Sequence, residues 1–112
     1  MDISRSLTRP IGRAIIVVVL SAVLNTACGL GMDAQAQLDR GQQAFDEGDY
    51  RAAAIDARNV LKKDPDNVRA RLLLGVSALE MNEGAAAEKE LRRALSLGAE
   101  SSAVMPYLAV AL

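Results

Sequence analysis

The stretch AQAQLDRGQQAFDEGDYRAAAIDARNVLKKDPDN (34–67) is followed directly by VRARLLLGVSALEMNEGAAAEKELRRALSLGAES (68–101), and the two align without a gap. The superposition pairs Ala36 with Ala70, Leu38 with Leu72, Gly41 with Gly75 and Ala44 with Ala78. It also pairs Ala52 with Ala86, Ala53 with Ala87, Arg58 with Arg92 and Leu61 with Leu95. A repeat of this length carries one supersecondary unit, and a stack of such units buries a core that no unit could bury alone. Each copy divides into two helical segments. In the first, Asp33 caps a helix to Glu47, Gly48-Asp49-Tyr50 turns, and a second helix runs to Lys63 before Asp64-Pro65 stops it. In the second, Asp66 or Asn67 starts a helix to Met81, Asn82-Glu83-Gly84 turns, and Ala85 to Leu97 forms the partner, closed by Gly98 at positive φ.

Small residues recur where paired helices must cross closely. Gly41 with Ala53 and Gly75 with Ala87 are expected at those crossings, and Ala94 at a further packing position. Leu72-Leu73-Leu74 puts apolar side chains on several sides of one helix, which therefore has neighbours on two faces. From Ser102 the pattern restarts with Leu108 and Ala109 at the places of Leu74 and Gly75, Ser101 or Ser102 as cap, and Pro106 near the first turn. Residues 102–112 are thus the first helix of a third, incomplete unit, and the chain is expected to be the front of a longer array.

A 34-residue period with small residues at these offsets resembles the tetratricopeptide repeat. Gly41, Gly48, Tyr50, Ala53 and Pro65 fall on that family's marked positions, as do Leu74, Gly75, Ala78, Ala87 and Ala94. Gln37, Ala44 and Ala57 stand where the family usually has large aromatics. The resemblance implies an all-α solenoid of helical hairpins with a concave groove lined by the first helix of each unit. Carried over here, the groove positions are Gln35, Leu38, Gln42, Phe45 and Asp46, then Arg69, Leu72, Val76, Leu79 and Glu80. Of these, Leu38, Phe45, Leu72, Val76 and Leu79 are each better read singly as inter-repeat core than as ligand contacts.

Composition restricts the chemistry. Among 112 residues there is no histidine, no tryptophan and one cysteine, which excludes a histidine-based triad, a Cys/His metal site and an intrachain disulfide. No metal, cofactor or small-molecule substrate is expected, and no catalytic residue. Setting aside Arg5, Arg9, Arg13 and Asp2 leaves 10 basic and 13 acidic side chains, a net of −3 that gives no footprint for nucleic acid. Arg51, Arg58, Lys62, Lys63, Arg92 and Arg93 are expected on solvated faces; Glu88 with Arg92 is a stabilising pair one turn apart.

The front of the chain has a different character. Three arginines within residues 1–13 precede the apolar run AIIVVVLSAVL (14–24), the layout of an export signal. As a helix that run spans about 16 Å, well short of the roughly 30 Å of bilayer hydrocarbon. Leu24-Asn25-Thr26-Ala27-Cys28-Gly29 resembles a bacterial lipobox, with Asn25 where leucine is usual. Residues 1–27 thus read as a lipoprotein-type signal-peptide helix, Cys28 as the lipidated first residue, and 28–33 as a tether. A plain secretory signal cut after Ala27 is the alternative. Two acyl chains on Cys28 would give lasting attachment, and Gly29 resembles lipoproteins forwarded to the outer membrane.

Signal, lipobox-like cysteine, AAEKELRRAL (86–95), Gly98-Ala99 and PYLA (106–109) together resemble the amino-terminal part of the tetratricopeptide-repeat lipoproteins of the PEP-CTERM system. The resemblance implies an exported, lipid-anchored scaffold facing the periplasm, with protein or peptide partners of the cell envelope and a role in exopolysaccharide export or PEP-CTERM sorting. Two other readings stay open: a repeat leader of an envelope enzyme, glycosyltransferase or peptidoglycan-active, whose catalytic domain follows Leu112; and a short exported protein that dimerises through its open third helix.

Overall fold

The structure, a computed structural model, describes residues 32–112. The signal segment, Cys28 and nearly all of the tether lie outside the described residues. Five helices follow one another: α1 (Ala34–Asp46), α2 (Tyr50–Lys63), α3 (Val68–Glu80), α4 (Gly84–Ser96) and α5 (Ser101–Ala111). None of them is long and apolar enough to cross a membrane. The fold among the described residues is all-α, as the periodicity requires.

Helix ends follow from side-chain chemistry at repeat-related positions. Asp33 and Asn67 each cap a first helix, accepting from the Ala36 amide at 2.7 Å and the Ala70 amide at 3.0 Å. Asp49 does the same for α2 through the Ala52 amide at 3.0 Å. These caps satisfy amides that have no partner inside the helix. Three helices end in the same left-handed turn. The Asp49 amide reaches the Ala44 carbonyl while the Gly48 amide reaches Phe45; Glu83 with Asn82, and Ala99 with Gly98, repeat the pattern on Ala78 with Leu79 and on Ala94 with Leu95. The residue at positive φ is Gly48 at 85°, Asn82 at 60° and Gly98 at 103°. Asn82 lies 34 residues after Gly48 and tolerates the same conformation as one of the few side-chain-bearing residues that do.

Several boundaries differ from the sequence reading: α1, α3 and α4 end at Asp46, Glu80 and Ser96, one residue before the expected Glu47, Met81 and Leu97, and two helices start elsewhere. The helix of the third unit starts at Ser101, with Glu100 as its cap residue and no side-chain cap bond. The glycine turn at Gly98 reverses the chain so soon that the Glu100 carbonyl already accepts from the Ala103 and Val104 amides. Pro106 is consequently the sixth residue of α5 rather than part of its first turn. Its missing N–H leaves the Ser102 carbonyl, on an exposed residue, to solvent. The second-unit partner helix begins at Gly84, one residue before the expected Ala85.

Each helix packs on the next, and the first helices also touch one another, α1 on α3 and α3 on α5; α2 and α4 do not meet. Alternate helices therefore form a contiguous layer with α2 and α4 set apart behind it, and α3 is the helix that packs on all four others. One core cluster gathers Leu38, Ala53, Ala54, Ala57, Val60, Ala70, Leu73 and Leu74. The other gathers Leu91, Val104 and Leu108. The crossings inside the hairpins use no side chain on one helix. A Cβ on Gly41 would lie 2.9 Å from Leu73 Cδ2, 3.0 Å from Asp56 Cβ and 3.6 Å from the Ala53 carbonyl oxygen. A Cβ on Gly75 would lie 2.9 Å from Leu91 Cγ and 3.6 Å from the Ala87 carbonyl oxygen. Ala53, Ala87 and Ala94 are all fully buried.

Two buried carboxylates occupy one repeat position, Asp56 and Glu90, exposed by 4% and 8%. Asp56 accepts from Arg40, Nε at 3.0 Å and Nη2 on the other oxygen. Glu90 accepts from Arg71 Nη1 at 2.6 Å, and the same guanidinium reaches the Pro65 carbonyl at 2.9 Å, tying the inter-repeat loop to α4. Such acids are tolerated in a helix-packed interior only because they are paired. The hydrogen bond from Arg40, aided by its charge and by Gln37, outweighs burial and holds the Asp56 carboxyl below its ordinary value of 3.8.

Because the folded value lies below the unfolded one, the stability Asp56 adds is present above the ordinary carboxylate range and is lost as pH falls through the folded value. Asp56→Asn is therefore expected to be less stable than the parent at neutral pH, with the gap closing in acid. Urea melts across a pH series check this, and a gap independent of pH contradicts it. At the turns, nothing lies near a Cβ on Gly98, so Gly98→Ala carries only the backbone cost, about 1–2 kcal/mol. Asn82→Gly is expected to raise stability by up to about 1 kcal/mol; thermal denaturation of both variants measures the difference.

Candidate binding groove

The layer of α1, α3 and α5 carries a depression of ≈ 300 Å³ lined by Gln42 of α1, Arg69, Leu72, Leu73 and Val76 of α3, and Ala103 and Tyr107 of α5. At 100° per residue the α3 contributors share one side of that helix, opposite Arg71 and Leu74. The walls are apolar. Leu72 and Val76 are half-buried and Tyr107 is 46% exposed, so part of an aromatic side chain stands free in the lining.

The polar lining comes from α1 and α3. Arg69 Nη2 donates to Asp39 Oδ1 at 2.7 Å across α1 and α3, with both side chains largely exposed. An exposed pair of this kind contributes little to folding, so the guanidinium is available to an arriving carboxylate. Gln42 Nε2 donates to Asp46 Oδ1 at 3.0 Å along α1. Among the described residues, no group of three or more cysteine, aspartate or glutamate side chains is placed to hold a metal ion.

Of the residues carried over from the repeat pattern, Gln42, Arg69, Leu72 and Val76 meet in this groove. Leu38 does not present itself to a ligand: at 1% exposure it is core, held beneath α2 and α3. Phe45 is half-buried against the same core and sets its ring edge-on to Tyr50, with centroids 5.1 Å apart and planes at 64°. Leu79 packs on the second core cluster. Gln35, Asp46 and Glu80 are exposed but do not line the depression.

Leu73, Ala103 and Tyr107 are the contributors that sequence reading did not select. Ala103 lies one period after Arg69, so extending the selected offsets into the third unit identifies it; Tyr107 lies one period after Leu73 and is identified only once Leu73 is. Leu73 was hidden by its second role, since it also fills the space beside Gly41.

A model of the tetratricopeptide repeat family matches residues 44–104, more than half of the chain, from the last turns of α1 into α5. No curated protein matches it.

Proposed function

The chain belongs to the tetratricopeptide repeat family, whose members typically bind protein or peptide partners, and from that premise we propose that it is an interaction scaffold rather than a catalyst. The observation that carries the reading is the groove built jointly by α1, α3 and α5, whose exposed Tyr107 and half-buried Leu72 and Val76 offer apolar contact while Arg69 offers a charge at the edge. A partner segment with an apolar side chain over Val76 and an acid reaching Arg69 matches that layout. Aromatic and arginine side chains in such settings contribute disproportionately to binding energy.

The proposal extends to the setting. The export-type front and the lipobox-like Cys28 support a scaffold held on the membrane by acyl chains and facing the periplasm, at the outer membrane. Similarity to PEP-CTERM lipoproteins supports a role in exopolysaccharide export or protein sorting there.

A photo-crosslinking residue in place of Tyr107, in the full-length protein in its own cells, is expected to give a discrete protein adduct that Val76→Asp abolishes. No adduct, or one indifferent to Val76→Asp, overturns the groove reading. Metabolic palmitate labelling tests the anchor separately: incorporation into the parent and none into Cys28→Ala is expected, whereas labelling that survives the substitution contradicts lipidation at Cys28.

A further inference from the structure

Behind the first-helix layer, the gap between α2 and α4 forms a second surface with opposite electrostatic character to the chain as a whole. Two depressions of ≈ 360 and ≈ 500 Å³ share Arg71 and Glu90 and so adjoin. The smaller is floored by Leu61 and Leu74 and rimmed by Arg58 and Lys62; the larger carries Lys89, Arg92 and Arg93. Glu90 is the one carboxylate in either lining, and it is neutralised by Arg71 at 2.6 Å.

The state of the other cations decides what the furrow can bind. Arg92 is held by Glu88 at 2.8 Å and Arg93 by Asp66 at 3.1 Å. Among the described residues Arg58 and Lys89 have no carboxylate partner, and Lys62 reaches only the Asn59 side chain, at 3.5 Å. Arg58 and Lys62 stand one turn apart on α2, and the arginine recurs one period later as Arg92, so positive charge runs along both second helices. In a chain whose repeat region carries a net of −3, two unpaired cations beside an apolar floor, Arg58 and Lys62, with a third, Lys89, in the adjoining depression, form a local excess.

We infer that this furrow is a second docking surface, independent of the groove, that takes an acidic protein segment bearing apolar residues, its carboxylates on Arg58, Lys62 and Lys89 and an aliphatic side chain on Leu61 and Leu74. The apolar floor favours a peptide over a bare polyanion, which would gain nothing from it.

The test uses the full-length protein and a short fluorescein-labelled peptide of Glu, Asp and Leu, read by anisotropy, with a Gln, Asn and Leu peptide as control. The acidic peptide is expected to bind and the neutral one not, with affinity falling as salt rises. Arg58→Glu combined with Lys62→Glu is expected to weaken binding by about tenfold or more; both side chains are exposed, and an unchanged helical circular dichroism spectrum confirms that the fold is kept. Because the groove also takes an acid beside an apolar side chain, both peptides and the doubly reversed variant are measured in the Val76→Asp background, where the groove is disabled and binding to the furrow is expected to persist; loss of all binding there overturns this proposal and leaves the groove reading standing. Equal binding of the neutral peptide, full binding by the doubly reversed variant, or adsorption to phosphatidylglycerol vesicles without any to the peptide each overturns the proposal.

Discussion

Everything in the fold depends on how closely the two helices of each hairpin approach at a glycine. At Gly75 the partner helix is so near that Leu91 occupies the volume where a β-carbon would be, and at Gly41 the same volume is contested by Leu73 and Asp56. The carbonyl oxygen of the opposing alanine, Ala53 or Ala87, lies at one distance from both positions, 3.6 Å. Two hairpins that share a crossing geometry to this degree stack with a constant step. The constant step is what places α1, α3 and α5 side by side and leaves α2 and α4 apart. Both surfaces of the molecule, the apolar groove and the cationic furrow, are consequences of that spacing.

The central helix shows how one short sequence serves both. Arg69, Leu72, Leu73 and Val76 face the groove, whereas Arg71 and Leu74 face the furrow. The two arginines, two residues apart, have different duties: Arg69 makes an exposed pair with Asp39, while Arg71 is largely enclosed and holds both Glu90 and the Pro65 carbonyl. Enclosure makes the second pair a matter of integrity, since removing either partner strands a charge in a low-dielectric setting. Exposure makes the first exchangeable.

The repeat length, the all-α class, the turn glycines and the four small residues at the hairpin crossings were legible in the sequence because each is a local or strictly periodic signal. Asn82 was legible as a turn, though its left-handed conformation emerges only from its equivalence to Gly48. The buried acids were not legible. Nothing local marks Asp56 or Glu90 for the interior, because their burial depends on Arg40 and Arg71, 16 and 19 residues distant, folding across the hairpin. For Leu38 the sequence left groove and core both open, because a first-helix leucine can face the groove or the neighbouring hairpin, and periodicity alone does not separate the two faces. Tyr107 was not legible because its repeat equivalent, Leu73, reads as core. The glycine turn at Gly98 shifted that helix by one residue, since a Schellman motif reverses the chain sooner than a side-chain cap would.

The close approach at Gly75 is tested most directly by a double-mutant cycle of Gly75→Ala with Leu91→Ala, followed by urea denaturation. Gly75→Ala alone is expected to destabilise, because crowding of about 1–3 kcal/mol exceeds the roughly 1 kcal/mol that alanine adds to a helix. With Leu91 cut back to alanine the same substitution is expected to stabilise, giving a coupling of about 1–3 kcal/mol between the two positions. Equal effects of Gly75→Ala in both backgrounds would mean that the hairpin does not seat Leu91 on Gly75, and the common register of the repeats would lose its physical basis.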